Sequence, residues 1–197
     1  MPSLLKVNVC IILMLALLLT GCAPVIFGGA VAGAGVAALY DRRDAQTLFD
    51  DQQIQFAAAA ALKQDPRIKS QADAISVTSY HRTVLLTGQI EAEAVANRAV
   101  KRITHLAKVK RVINQLTFGA PLDLTRQAED LYIISRAKFA LTQIGLPDFN
   151  ATRVKIVASD GVVYLLGLVR QKEGDAAIEK VRYVPGVRRV VNLFEYQ

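Results

Sequence analysis

From Asp41 to the C-terminus the hydrophobic positions switch between a helical and an extended period, twice in one order. Ile54, Ala58 and Leu62 recur every fourth residue, as do Ile133, Ala137 and Leu141, which marks a helix with one face on a core. Two β-rich runs follow each helix: AISVTSY (74–80) and VLLTGQI (84–90), then RVKIVAS (153–159) and VVYLLGLV (162–169). A short turn separates each pair, and Asp160-Gly161 is a strong hairpin signal. Second helical stretches are expected at Ala92–Leu106 and Lys172–Tyr183, and β runs opening at Val109 and Val187 close each half. Three strands bury one face only if both helices cover it. The expected fold class is therefore α+β: two tandem modules, each helix-strand-strand-helix-strand, with two helices on a three-stranded mixed sheet.

The halves are copies of one unit. An offset of 79 carries the first helix stripe and VLLTGQI onto their counterparts, placing Gly88 on Gly167. With one residue lost, an offset of 78 carries VKRVINQL (109–116) onto VRRVVNLF (187–194). FGAPLDLT (118–125) breaks the pattern between them. The expected organisation is module 1 over 46–118, a linker over 119–124 and module 2 over 125–197.

The first 40 residues follow other rules. Lys6 precedes an apolar run, Val9–Leu19, that is too short to span a bilayer, which takes roughly 20 apolar residues. A basic start, a short apolar centre and a small-residue end make a secretory signal over 1–21. Leu19-Thr20-Gly21-Cys22 resembles the bacterial lipobox, in which the chain is cut before the cysteine and the thiol carries diacylglycerol. Cys22 is thus the expected lipidation site and membrane anchor. Residues 22–45 are expected to be the lipidated N-terminus and a tether, because VIFGGAVAGAGVAALY (25–40) is Gly/Ala-rich and uncharged. Ala23 stands where an aspartate would resemble an inner-membrane retention signal, so the expected destination is the outer membrane, facing the periplasm.

Charge narrows the partners. The chain carries a formal net charge of +7, of which Lys6 leaves with the signal. A basic surface attracts polyanions, and an exported lipoprotein meets lipid headgroups rather than nucleic acid. Cys10 also leaves with the signal, so an acylated Cys22 leaves no thiol for a disulfide or a metal. His81 and His105 lack partners at metal-ligand spacing and are expected to be ordinary exposed histidines. Asp50-Asp51 and Glu129-Asp130 are expected to start the first helix of each module, where helix N-termini favour negative charge. Lys110-Arg111 and Arg188-Arg189 recur at one place in both copies, which suggests a fold position first, a sheet edge guarded by charge, and a lipid or partner contact second. No nucleophile–base grouping or phosphate loop is evident, so no enzyme, no cofactor and no metal are expected.

The element order, the Leu-x-Gly near the end of the second strand and the Val-[Lys/Arg]-Arg-Val-x-Asn start of the third run together resemble the BON domain. Two such modules behind a lipobox resemble the dual-BON outer-membrane lipoproteins of the DolP type. That resemblance implies a non-enzymatic protein of outer-membrane integrity. It further implies binding of anionic phospholipid, phosphatidylglycerol-like, through the first helix of the second module, and links to the division site and the outer-membrane protein assembly machinery.

The repeat supplies its own control for such a site. Gln52, Gln53 and Ala60 of the first copy become Leu131, Tyr132 and Phe139 in the second, and Ala57 and Ala59 become Arg136 and Lys138. By the helical period all five lie off the core stripe. Exposed apolar groups beside cations describe an interfacial helix. The same surface could instead pack on the first module, or dock an envelope protein. Where this family commonly has tryptophan, the chain has Tyr132, a milder interfacial ring.

Overall fold

The computed structural model describes residues 41–197; Cys22, the signal and the expected tether up to residue 40 lie outside the described residues, while 41–45, assigned to the tether, are described and hold the cap and first residue of a helix. Module 1 comprises α1 (Ala45–Gln64), β1 (Ile75–Tyr80), β2 (Thr83–Ile90), α2 (Glu93–Thr104) and β3 (Arg111–Phe118). Module 2 comprises α3 (Leu124–Thr142), β4 (Lys155–Ser159), β5 (Val162–Val169), α4 (Gln171–Arg182) and β6 (Arg189–Tyr196). Each module is α+β with one three-stranded mixed sheet, as expected. β2 pairs antiparallel with β1 and parallel with β3, and β5 does the same with β4 and β6. Short 3-10 turns, Lys69–Ala74 and Ala151–Arg153, lead into β1 and β4, so both strands start later than their β-rich runs.

The helix stripes behave as their period demands. Ile54, Ala58 and Leu62 pack with Val84, Leu86, Ala99 and Ile103, while Ile133, Ala137 and Leu141 pack with Val163, Leu165, Ala177 and Val181. Each large aliphatic buried this way stabilises by roughly 1.5–3 kcal/mol. The glycines shared by the repeat are close-approach positions. Gly88 has φ +123°, and a Cβ on it would run into the carbonyl of Ala74. One on Gly167 would meet the carbonyl of Arg153 at 2.7 Å.

The acidic pairs correct the sequence expectation. The helices start earlier: Asp44 caps α1 by accepting from the Thr47 N–H, and Asp123 caps α3 by accepting from the Arg126 N–H. Asp51 and Asp130 therefore lie more than a turn inside, on the buried face, and each clamps a hairpin. Asp51 accepts the backbone N–H groups of His81 (2.8 Å) and Arg82 (2.7 Å) and the Ser79 hydroxyl (2.6 Å). Asp130 accepts those of Asp160 and Gly161, both at 2.8 Å. Both turns have two positive-φ residues, His81/Arg82 and Asp160/Gly161, as a type I′ turn requires. In module 1 neither residue is glycine, and the carboxylate stabilises the backbone that composition disfavours.

Burial of the second sheet face was not anticipated. Tyr80 and Leu85 of module 1 pack with Tyr164, Leu166 and Leu168 of module 2, flanked by Ile113, Val157, Val191 and Leu193. The sheets thus meet face to face, and all four helices lie on the outside. Tyr80 Oη accepts the Leu168 N–H at 3.1 Å, and His81 Nδ1 lies 2.7 Å from Glu195 Oε2. His81 is therefore an inter-module contact rather than a free histidine; His105 is exposed at the end of α2. Arg111 and Arg189 open β3 and β6, both edge strands, in keeping with the charge-guarded edge.

The segment before α1 joins the modules as well. Arg42 donates to both carboxylate oxygens of Glu173 (2.6 and 2.9 Å) and to the Leu168 carbonyl (3.1 Å). Arg43 stacks 3.9 Å above the Tyr80 ring and pairs with Asp41 and Asp51. Burial pushes the Glu173 carboxyl up, but Arg42, the Arg170 N–H and Arg153 together hold it below the usual range.

Two outcomes follow from these contacts. Asp130→Ala leaves two backbone donors without their acceptor and should cost about 2–4 kcal/mol in urea unfolding; an effect below ~1 kcal/mol would show that the clamp is dispensable. Because the folded Glu173 carboxyl is depressed, its stabilisation is present above the unfolded value of about 4.3 and is lost as pH falls through the folded one. The urea midpoint should therefore drop below about pH 4, and Glu173→Gln should flatten that drop.

Candidate lipid-facing helix

Helix α3 is built to hold one face in and one face out. Asp123 fixes its start, and Asp130, Ile133, Ala137 and Leu141 are buried along it. The five residues singled out from sequence all fall on exposed positions. Leu131 is 65%, Tyr132 56% and Phe139 58% exposed, so more than half of each side chain faces away from the described chain. The alternative of packing on module 1 gives way to the sheet–sheet contact, which turns this helix outward.

Their spacing sorts them into two ridges. Tyr132 and Phe139 are seven apart, as are Leu131 and Lys138, so each pair stacks two turns apart along the axis. Arg136 lies one turn beyond Tyr132 on the same flank. Among the described residues neither Arg136 nor Lys138 makes an ion pair, whereas Arg126 and Arg188 near the helix start are both engaged by Asp160. A hollow of about 360 Å³ beside Tyr132 is bounded by those two arginines, Glu129 and Pro185. The arrangement suits insertion of apolar groups between anionic headgroups that meet free cations.

Some of this surface was missed in the sequence. Leu124, 82% exposed, opens α3 at the residue assigned to the end of the linker; its signal is an apolar residue directly after the capping Asp123. On α1, Phe49 and Phe56 are 58% and 67% exposed. They were overlooked because the two copies were compared only where module 2 gained bulk, while here Ala128 and Ser135 of module 2 replace aromatic rings. The seven-residue spacing of Phe49 and Phe56 off the stripe was the available signal.

Exposure makes a stability statement. Replacing Leu131, Tyr132 and Phe139 together by serine should shift the urea unfolding free energy by less than about 1 kcal/mol, since surface substitutions away from special features are usually small. A loss of several kcal/mol would mean that the face is packed within the molecule.

Comparison with known proteins agrees with the architecture. The BON domain matches residues 50–120 and 134–197, one match on each module. The chain is 30% identical over 186 residues to outer membrane lipoprotein DolP of Haemophilus influenzae, covering 94% of both chains. It is 29% identical over 156 residues to a 21 kDa hemolysin of Actinobacillus pleuropneumoniae, covering 79% of both. Against a solved chain of CdsD, a structural protein of the type III secretion system of Chlamydia trachomatis, the identity is 16% and the TM-score 0.28. That match covers 75% of this chain and 63% of that one, and at such a score it carries no argument. Two matched modules in the order and positions that the fold requires place the chain in the BON domain family, as a dual-BON protein of the DolP type.

Proposed function

We propose that this chain is a non-enzymatic lipoprotein of the outer membrane, anchored through acylated Cys22 and facing the periplasm. On that membrane it binds anionic phospholipid through α3 and supports membrane integrity. Its relative from Haemophilus influenzae is named an outer membrane lipoprotein, which supports the location. The observation that carries the lipid role is the face of α3: three bulky apolar side chains more than half exposed, beside two cations without an ion-pair partner among the described residues. Each cation near an anionic surface contributes about 1 kcal/mol, and each inserted side chain adds burial at roughly 25 cal/mol per Å². Among the described residues no helix is long and apolar enough to cross a membrane. The anchor supplies residence and α3 supplies selectivity.

A second role, as an adaptor for envelope proteins such as the outer-membrane assembly machinery, has its own support on α1. Phe49 and Phe56 lie seven residues apart there with Gln52 and Gln53 between them, Phe56 next to the alanine run 57–61, and the helix's one cation, Lys63, pairs with Asp73. Exposed rings without an unpaired helix cation beside them suit a protein surface better than an anionic one.

The test uses residues 41–197, which lie within one compact unit, and co-sedimentation with vesicles. Binding to phosphatidylglycerol-containing vesicles should exceed that to phosphatidylcholine vesicles, weaken as salt rises, and fall about tenfold, or 1.4 kcal/mol, on Tyr132→Ala. Equal binding to both vesicle types, or none, would contradict the lipid role and direct attention to the adaptor.

A further inference from the structure

The two modules differ at a pair of turn positions that the repeat makes directly comparable. In module 1, Asp50 of α1 is held by two cations, Arg82 at 2.7 Å and Lys108 at 2.6 Å. The Lys108 ammonium also donates to Gln53 at 3.0 Å. The offsets of the repeat carry Asp50 and Gln53 onto Glu129 and Tyr132, Arg82 onto Gly161, and Lys108 onto Gly186. The backbone is kept, since Arg82, Lys108, Gly161 and Gly186 all have positive φ. Both cationic side chains are gone.

Without them a hollow of about 360 Å³ lies beside Tyr132, lined also by Glu129, Gly161 and Gly186. Among the described residues the Glu129 carboxylate makes no hydrogen bond or ion pair. The first copy shows what such a place takes: a primary ammonium on the carboxylate, reaching the side chain three residues further along the helix. In module 2 that side chain is the Tyr132 ring, whose face also attracts cations.

Groups of the opposite sign line the same hollow. Arg126 and Arg188 share one carboxylate, that of Asp160, and both side chains are about half exposed. Two guanidiniums on one carboxylate leave one positive charge over. Arg126 Nε and Nη2 and Arg188 Nη1 have no acceptor among the described residues. A free carboxylate and spare guanidinium donors around one hollow match a zwitterion, with an ammonium at one end and a phosphate at the other. A lysine side chain of a partner protein satisfies only the carboxylate. An anionic headgroup without an amine satisfies only the guanidiniums.

We propose that the hollow beside Tyr132 receives the phosphoethanolamine headgroup of a membrane lipid, its ammonium on Glu129 and the Tyr132 ring and its phosphate on Arg126 and Arg188. Resting on the reading of α3 as lipid-facing, this site adds a second lipid class to it. Arg136 and Lys138 meet anionic headgroups, and the hollow meets one that bears an amine.

The full chain in neutral detergent micelles would be titrated with dihexanoyl phosphatidylethanolamine, phosphatidylglycerol or phosphatidylcholine, and with N-acetyl-lysine methylamide, while backbone amide NMR shifts are followed. The ethanolamine lipid should move the Gly161 and Gly186 amides at about tenfold lower concentration than the choline lipid or the lysine probe. Glu129→Gln, at an exposed position, should weaken that response about tenfold and leave the glycerol lipid's effect on residues 131–139 no weaker. An equal response to the choline lipid or the lysine probe, or an undiminished one in Glu129→Gln, would overturn the headgroup assignment. Silence of Gly161 and Gly186 toward the ethanolamine lipid, with the α3 amides still moved by the glycerol lipid, would overturn this site and leave α3 lipid-facing. Silence toward every lipid would overturn both.

Discussion

A three-stranded sheet that is apolar on both faces cannot be satisfied by two helices. Each module covers one face of its own sheet and leaves Tyr80 and Leu85, or Tyr164, Leu166 and Leu168, looking the other way. Only the second copy of the same surface is at hand to cover them. That requirement sets the order of layers as helices, sheet, sheet, helices. It also leaves the outer faces of α1 and α3, with Phe49, Phe56, Leu131, Tyr132 and Phe139, exposed.

The polar contacts around that seam act as orientation devices more than as sources of stability. Buried ion pairs lose much of their Coulomb gain to desolvation. Arg42 on Glu173, however, ties the segment before α1 to the start of α4. Arg43 over Tyr80 and the Tyr80 hydroxyl on the Leu168 N–H lock the same corner.

Periodicity and the internal repeat make the elements, their order and the core stripes legible in the sequence, because both depend on neighbours close along the chain. What stayed hidden depends on distant partners. The continuous apolar run VVYLLGLV carried a sign of two-sided burial, yet nothing local named the covering surface. Asp51 and Asp130 looked like caps because they stand near helix starts; their true partners, the hairpin turns, are about 30 residues away. His81 was similarly misjudged because Glu195 lies 114 residues further on. The face of α3 was found by asking what the second copy has that the first lacks. That question could not reveal Phe49 and Phe56, where the first copy has the bulk.

The chain contains no tryptophan, so Tyr132→Trp would create a single reporter at the centre of the proposed membrane face. Its fluorescence should shift to the blue on adding phosphatidylglycerol vesicles and be quenched by brominated acyl chains, with neither change in phosphatidylcholine alone. Emission that stays that of a water-exposed indole in both would contradict the claim that α3 enters the headgroup layer.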